Sequence, residues 1–413
     1  MAQFHFTVDS EIVHGLFSID GRDQAFRTLH EEILNQVLET EITEQIQAEK
    51  YERTSERKAY RNGHRERQLT TRVGTLTLTV PRLRNGDFST ELFERYQRSE
   101  QALVLTMMEM YVNGVSTRKV GEITETLCGK NFSKSTISDL AKRLDPIVES
   151  FRNRPLDDKK FPFLIVDALY TKARHQGRVK SRGVLIASGI NEDGYREIVG
   201  FAVEKTETKD TWACLFENLK ERGISGVQTV VSDDHKGLVA AIEEHFVGAS
   251  WQRCQTHFSR NILEKTPKSI RPELKEMLQA MFTAPKIDIA REIRDEIIAT
   301  FEDKAPKAIE ILDRGFDDAT HVLYYPSKYR KRLRTTNMQE RVNREVRRRE
   351  RVISIFPNDD SIVRIIGSVL LEIHERWISG KRYFDMEEYH TFMKEQSKRK
   401  EVIDEPKSLA VGA

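Results

Sequence analysis

Hydrophobic and polar positions follow two different periods along this chain, and the change of period divides it into regions. From about Arg22 to Lys50 apolar residues recur near helical spacing, at Phe26, Leu29, Ile33, Val37, Ile42 and Ile46, which predicts a long amphipathic helix. Gln68 to Arg82 instead alternates Thr, Leu and Val around Gly74, the pattern of a hairpin, with Arg61, Arg65, Arg67, Arg72, Arg82 and Arg84 around it. Those arginines fit a solvated face or a ribbon that follows a phosphate backbone. Two helices are expected at 117–127 and 135–144, parted by Gly129 and a polar turn in which Ser133 or Ser135 caps the second. The pair reads as a helix-turn-helix, although any two packed helices with a glycine turn carry the same pattern.

After the charged link Pro155 to Lys160 the period becomes two. Phe163 and Ile165 lie on one side of an extended segment and Leu164 and Val166 on the other, so the strand is apolar on both faces until Asp167. A carboxylate is costly to bury alone there, so a basic side chain, backbone donors or a metal should meet it; otherwise Asp167 merely ends the strand. A second such strand, Val227 to Asp233, also delivers an aspartate, just before a helix at 238–246. Asp234 is placed to cap that helix, which leaves Asp233 as the candidate ligand.

Between the two acids the pattern gives strands at 182–188 and 197–203, a turn at Asn191 to Gly194, and a crossover helix at 210–222 closed by Gly223. Three antiparallel strands, a helix, and a fourth strand beside the first form the opening of a ribonuclease H-like fold. That arrangement sets Asp167 beside Asp233 although 66 residues separate them.

A third acid is sought downstream, where Lys328 to Arg351 holds eleven Lys/Arg and three Glu. Asn337 with Glu340 has the look of a helix start with a capping pair, and Glu345 and Glu350 are rival acids. On a helix Glu340 shares its face with Arg344, Arg347 and Arg351, while Arg348 lies near the border of that face. An acid beside a row of arginines suits a site that grips polyphosphate. Arg334, Arg341 and Lys236 complete the candidate DNA contacts. The 107 residues from Asp233 to Glu340 include a stretch, about 260–325, with helical spacing only.

Composition narrows the classes. At 413 residues two or three domains are expected. A net charge of +2 with 32% charged residues means that nucleic-acid affinity must come from local clusters. Cys128, Cys214 and Cys254 are too scattered for a disulfide framework and fit a reducing cytoplasm, and neither a membrane span nor an export signal is expected. Cys254 and His257 make half of a zinc site with no second half nearby, so both are expected to pack beneath the active site.

Taken together, Leu-Ile-Val-Asp167-Ala, Val-Ser-Asp233-Asp-His-Lys-Gly, Trp251-Gln-Arg-Cys254-Gln-Thr-His257 and Thr-Asn337-Met-Gln-Glu340-Arg-Val-Asn343 resemble motifs of the Mutator-type transposases of bacterial insertion sequences. Tyr60-Arg-Asn-Gly, Ile355-Phe-Pro-Asn and Glu372-Ile-His-Glu-Arg-Trp377 are also similar, so the resemblance runs from about residue 55 to 385. It implies an Asp-Asp-Glu triad at Asp167, Asp233 and Glu340 that holds two Mg²⁺ ions, with Mn²⁺ as substitute, and an all-helical insertion ahead of the glutamate. The family usually has glycine where this chain has Asp234. The expected partners are double-stranded DNA, as element ends and target, and a second copy of the chain in a dimer on DNA. A bacterial cytoplasmic, nucleoid-associated protein is implied.

The expected fold class is thus α+β and multidomain: a ribonuclease H-like core interrupted by a helical insertion, after a mostly helical DNA-binding region. The divisions are 1–55 helical, 56–100 basic hairpin, 101–155 helix-turn-helix-like, 156–258 first part of the core, 259–327 insertion, 328–385 second part of the core and 386–413 tail.

Overall fold

A computed structural model describes residues 6–17, 21–84, 88–92 and 99–404, so positions 405–413 of the expected tail lie outside the described residues. Two compact units form, Met1–Arg143 and Leu144–Ala413. The fold is α+β, with helices and two separate sheets.

The first unit holds α1 (Ser10–Leu16), α2 (Arg22–Ile46), a hairpin of β1 (Arg61–Thr71) and β2 (Gly74–Leu83), and the helices α3 (Gln101–Val112), α4 (Thr117–Cys128) and α5 (Lys134–Ala141). The hairpin starts at Arg61 rather than Gln68, because the polar first half of β1 also pairs with β2, from His64↔Pro81 onward after an irregularity between Arg61 and His64. The buried stripe of α2 includes Ile42 and Ile46 as expected, but it continues through Leu38, with Leu34 beside it, and not through Ile33 and Val37. The even four-residue spacing of Leu34, Leu38, Ile42 and Ile46 offers the straighter apolar row, and its Leu38 level packs on Leu69, Leu76, Leu78 and Val80 of the hairpin. Ser116 and Ser133 cap α4 and α5 through their side chains, and Gly129 closes α4 at φ 67°. Lys130 Nζ donates to Thr70 Oγ1 at 2.9 Å, tying the turn between these helices to the hairpin.

The second unit begins with α6 (Asp145–Arg152). Then follow β3 (Phe163–His175), β4 (Arg178–Ile190), β5 (Arg196–Glu204), α7 (Lys209–Glu221), β6 (Thr229–Ser232), α8 (Lys236–His245) and β7 (Ser250–Arg253). The strands form one sheet in the order β5-β4-β3-β6-β7, with β3, β4 and β5 antiparallel and β6 and β7 parallel to β3. Leu164, Val166 and Val230 face Trp212 and Phe216 of α7 and Leu238 of α8. Phe163, Ile165 and Val231 face the opposite way, toward elements described below.

Between Arg253 and Asn337 every described element is helical: α9 (Gln255–Glu264), α10 (Arg271–Phe282), α11 (Ile287–Phe301), α12 (Pro306–Thr320) and α13 (Ser327–Leu333), with a single 3₁₀ turn before α13. Phe258, Leu278, Phe301 and Phe316 build a core of their own there. The chain continues as α14 (Asn337–Ile353), α15 (Asp359–Ile378) and α16 (Glu387–Asp404). Tyr329 of α13, Met338 of α14 and Tyr389 of α16 cover the second face of the sheet. Arg364 of α15 grips Asp145 of α6 at 2.6 and 2.7 Å. No helix among the described residues is long and apolar enough to cross a membrane.

One strand reading is corrected and one strand is new. Asp167 does not end its strand: β3 runs on to His175, paired with β4 from Phe163↔Ile190 to His175↔Arg178. The outer half carries exposed Lys172 and Arg174, with exposed Arg178 and Lys180 on β4 opposite, so it lacks the apolar signal of a buried strand although its backbone is paired. The four residues of β7 were not anticipated, being too short for a period to show.

Candidate active site

The parallel pair β3 and β6 fixes the position of both aspartates. Ile165 is in register with Val231, so Asp233, one residue past the end of β6, comes out near Asp167 of β3, which feels its charge. Both share the parity of Phe163, Ile165 and Val231, the side covered by α13, α14 and α16. Asn343 of α14 meets Asp167 directly, its Nδ2 donating to Oδ2 at 2.7 Å, while the Ala168 N–H donates to Oδ1 at 3.0 Å. One turn earlier on α14, Gln339 accepts from Ser188 Oγ of β4 at 2.7 Å, which pins the helix to the sheet.

Burial drives the Asp167 carboxyl up from 3.8 to about 7, and the charge of Asp233 adds to the rise; the Ala168 N–H and His257 oppose it. Asp233 is raised too, by burial and then by Glu207, against His257 and His235. Two carboxylates held this way keep a proton where a cation would relieve them.

Glu340 lies on the Asn343 face of α14, one turn nearer its start. The capping pair read from Asn337 and Glu340 is absent: Thr336 holds the N-cap position and no side chain caps the helix, so the Glu340 carboxylate is not spent there. The rival Glu345 is paired with exposed Arg348 at 3.2 Å. Among the described residues no three His, Cys, Asp or Glu side chains stand close enough to hold a metal ion. The oxygens at hand are those of Asp167 and Asp233 and the enclosed, unpartnered Oδ1 of Asn343, hard donors of the kind that suit Mg²⁺ or Mn²⁺.

Asp234 is not the cap of α8. His235 takes that position, its Nδ1 accepting from the Leu238 N–H at 3.4 Å, while Asp234 pairs with buried Arg253 at 2.7 Å. A cation on β7 thus captures the carboxylate before the helix start can use it. Cys254 is buried, and its Sγ accepts from the N–H and Oγ1 of Thr336, both at 3.4 Å, joining the start of α9 to the start of α14. Burial pushes the Cys254 thiol up, but donation from His257 and Thr336 outweighs it and the net shift is downward. His257 is raised in return, first by Cys254, with burial opposing and Asp233 and Asp167 contributing.

The family model described as "Transposase, Mutator family" matches residues 1–380. The chain belongs to the Mutator family of transposases. It is 47% identical over 390 residues to the transposase for insertion sequence element IS256 in transposon Tn4001 of Staphylococcus aureus, covering 94% of this chain and 100% of that one. It is 44% identical to the transposase for ISRM5 of Rhizobium meliloti, over 89% of this chain and 92% of the relative. The transposase for IS1081 of Mycobacterium tuberculosis is 42% identical, with 81% of each chain covered.

The basic residues of this family member divide among several places. Arg344, Arg347 and Arg351 are exposed on one face of α14 and none of them is ion-paired among the described residues. Arg341 is exposed nearer Arg196 and Tyr383, Lys236 is exposed at the first turn of α8, and Arg334 is half-buried with its carbonyl accepting from the Gln255 N–H. Glu207 was missed in the sequence. Its side chain, 9% exposed, accepts from Tyr170 Oη and Trp212 Nε1, both at 3.1 Å, and its charge reaches both aspartates. Its place just ahead of α7 gave it the look of an ordinary helix-start acid.

The raised carboxyl has a measurable consequence. Between about pH 4 and 7 the native state holds the Asp167 proton that the unfolded chain has released, so stability falls as pH rises through that window, and the deficit persists above it. Asp167→Asn removes the deficit. In chelator at pH 8 this variant is expected to be more stable than the parent by on the order of 2 kcal/mol, with the advantage vanishing near pH 4. Equal melting temperatures across the range in calorimetry would contradict it.

Proposed function

We propose that this chain is a DNA transposase that binds the terminal inverted repeats of an insertion sequence and carries out metal-dependent strand cleavage and strand transfer. The observation that carries the reading is the pair of neighbouring aspartates, Asp167 on β3 and Asp233 just past the end of β6, in a chain of the Mutator family. A ribonuclease H-like core is supported by the sheet order, three antiparallel strands followed by two parallel ones, with an all-helical stretch before the helix of Glu340.

Asp167, Asp233 and Glu340 are the proposed ligands for two Mg²⁺ ions, with Mn²⁺ able to substitute. When bound, such ions supply activation of a water or 3′-hydroxyl and stabilise the leaving oxygen of an in-line phosphodiester displacement. The residues of the chain do the rest. The Asn343 amide orients the Asp167 carboxylate, and α14 carries Glu340 on the same face. Arg344, Arg347 and Arg351 are placed to hold phosphates along that helix. No covalent enzyme intermediate is needed, because the acids act as ligands. Acting on two element ends calls for two such cores, hence a dimer on DNA.

The test is a plasmid carrying two element ends, incubated with purified protein and Mg²⁺. Nicks at the ends, and none on a plasmid without ends, are expected; equal nicking of both would make this a plain nuclease.

End recognition is proposed for the first unit, on its capped α4 and α5 and the arginine-rich β1. Residues 1–143 alone are expected to prefer terminal-repeat DNA to random DNA in a competition shift at moderate salt. Equal affinity for both would sink this assignment, since backbone contacts carry no sequence preference.

A further inference from the structure

Arg196, the first residue of β5, pairs with Ile190 of β4, which in turn pairs with Phe163 of β3, so its side chain rises on the face of the sheet covered by α13, α14 and α16. There it lies against two rings, 4.6 Å from the centroid of Trp377 of α15 and 4.7 Å from that of Tyr383. Arg332 of α13 meets the same Tyr383 ring at 4.4 Å, and Arg341 of α14 is near enough for its charge to act on both Arg196 and Tyr383. The Tyr383 N–H donates to Gly194 O at 2.8 Å, which ties this aromatic to the turn ahead of β5.

Three guanidinium groups thus gather with nothing of opposite charge among them. None of the three is ion-paired among the described residues. Acids close by in sequence are taken elsewhere, Asp385 and Glu388 by Lys328 and Asp193 by Lys159. Burial lowers the Arg196 guanidinium below its ordinary value, Tyr383 opposes the fall, and Arg332 and Arg341 add to it. The Nε of Arg196 is enclosed without a partner, so its outer Nη groups are the ones a ligand meets, while Arg332 and Arg341 are exposed. Stacking on a ring occupies the flat face of a guanidinium and leaves its N–H edge free for an oxyanion. Like charges held together at a partly desolvated place repel one another, and an anion among them removes that cost.

We propose that Arg196, Arg332 and Arg341 form a subsite for a backbone phosphate of duplex DNA, on the flank of α14 turned away from Glu340. Arg341 follows Glu340 directly and therefore points roughly 100° further round the helix. The subsite grips DNA on the side of α14 that Arg344, Arg347 and Arg351 do not face, and a duplex laid across the helix meets both. A free anion would be suited by an enclosed pocket, whereas the exposure of Arg332 and Arg341 opens this cluster to a large ligand. The rings hold Arg196 and Arg332 in place before DNA arrives, so less side-chain freedom is lost on binding. Contacts of this kind fix the position of the duplex and read no sequence.

This inference rests on the transposase reading, and the test separates the two. Full-length protein is titrated by fluorescence anisotropy with an element-end duplex at several salt concentrations, and the phosphates it needs are mapped by ethylation interference. The double variant Arg332→Ala/Arg341→Ala is expected to bind about tenfold more weakly at moderate salt and to lose about 0.9 from the slope of log affinity against log salt. It should also become indifferent to ethylation at a phosphate that the parent requires, one different from those lost when Arg344, Arg347 and Arg351 are replaced. Arg332→Lys/Arg341→Lys, which keeps the charge, should recover most of the slope and less of the affinity, because an ammonium lacks the fork. Folding is checked by thermal melting; where the alanine pair melts early, Arg341→Ala alone, at an exposed position, should lose the same phosphate. A folded variant with the parental slope and interference pattern overturns the subsite and leaves the transposase reading standing. Inorganic phosphate that raises the melting temperature of the parent but not of a variant whose DNA binding is unchanged makes this a free-anion site and overturns the DNA assignment. If the parent binds no DNA, both readings fall.

Discussion

Asp167→Asn, Asp233→Asn and Glu340→Gln are each expected to lower end cleavage and strand transfer at least about a thousandfold while end binding stays nearly intact. The size follows from the several kcal/mol of charge stabilisation that a metal ion supplies in the transition state, at 1.36 kcal/mol per tenfold in rate. The three changes are nearly isosteric and remove the charge a cation needs. The structure also supplies controls. Glu345→Gln only releases a surface pair with Arg348 and should cleave as the parent does. Asp234→Asn strips the partner from buried Arg253, so its effect should appear in the melting temperature ahead of the chemistry. If Asp233→Asn kept activity while a folded Asp234→Asn lost it, the assignment at that motif would be wrong.

The second large effect concerns the arginine row. Replacing Arg344, Arg347 and Arg351 together with alanine should lower the slope of log affinity against log salt by about three units, at about 0.9 for each phosphate no longer neutralised. Discrimination between end and random sequence should change little, because phosphate contacts carry no sequence information. Alanine is the strongest helix former, so α14 should keep its fold. Arg349 provides the contrast. It is 3% exposed, on the opposite side of the helix, and reaches Glu372 of α15 at 3.5 Å, so Arg349→Ala should cost stability and leave the slope unchanged. An unchanged slope in a folded triple variant would make the row a solvated face, and the DNA path would lie elsewhere.

How much of this was legible in the sequence depended on burial. The inner half of β3 showed because its side chains are apolar on both faces, and the neighbour relation with β6 followed from the order of strands and crossover helix. The outer half did not show. Its buried side chains, Leu169, Thr171 and Ala173, alternate with exposed Tyr170, Lys172 and Arg174, but Thr and Ala are only weakly apolar, so the period is faint. On α2 Ile42 and Ile46 are buried as expected, but ahead of them the stripe lies one position on, at Leu34 and Leu38, because Ile33 and Val37 are equally apolar neighbours and the hairpin decides which row is covered. At the site, the two aspartates were visible as charges that interrupt or end apolar runs. Asn343 and Glu207 were not, since a polar residue on a helix or just ahead of one is ordinary until the fold brings it against a carboxylate or a tyrosine hydroxyl. Asp234 shows the same limit from the other side: a helix-start acid was read as a cap, and an arginine on an unanticipated strand took it.

We propose that cations held by Asp167, Asp233 and Glu340 touch the scissile phosphate. The most direct measurement replaces one non-bridging oxygen of that phosphate with sulfur in an element-end duplex and follows nicking by the parent protein in Mg²⁺, in Mn²⁺ and in chelator. Mg²⁺ is a hard ion that binds sulfur poorly, whereas Mn²⁺ tolerates it better. The expected result is nicking of the unmodified end in either ion and none in chelator, with the sulfur-substituted end cut slowly in Mg²⁺ and restored in Mn²⁺. Cleavage that continues in chelator would contradict the account, as would a sulfur effect that is the same in both ions.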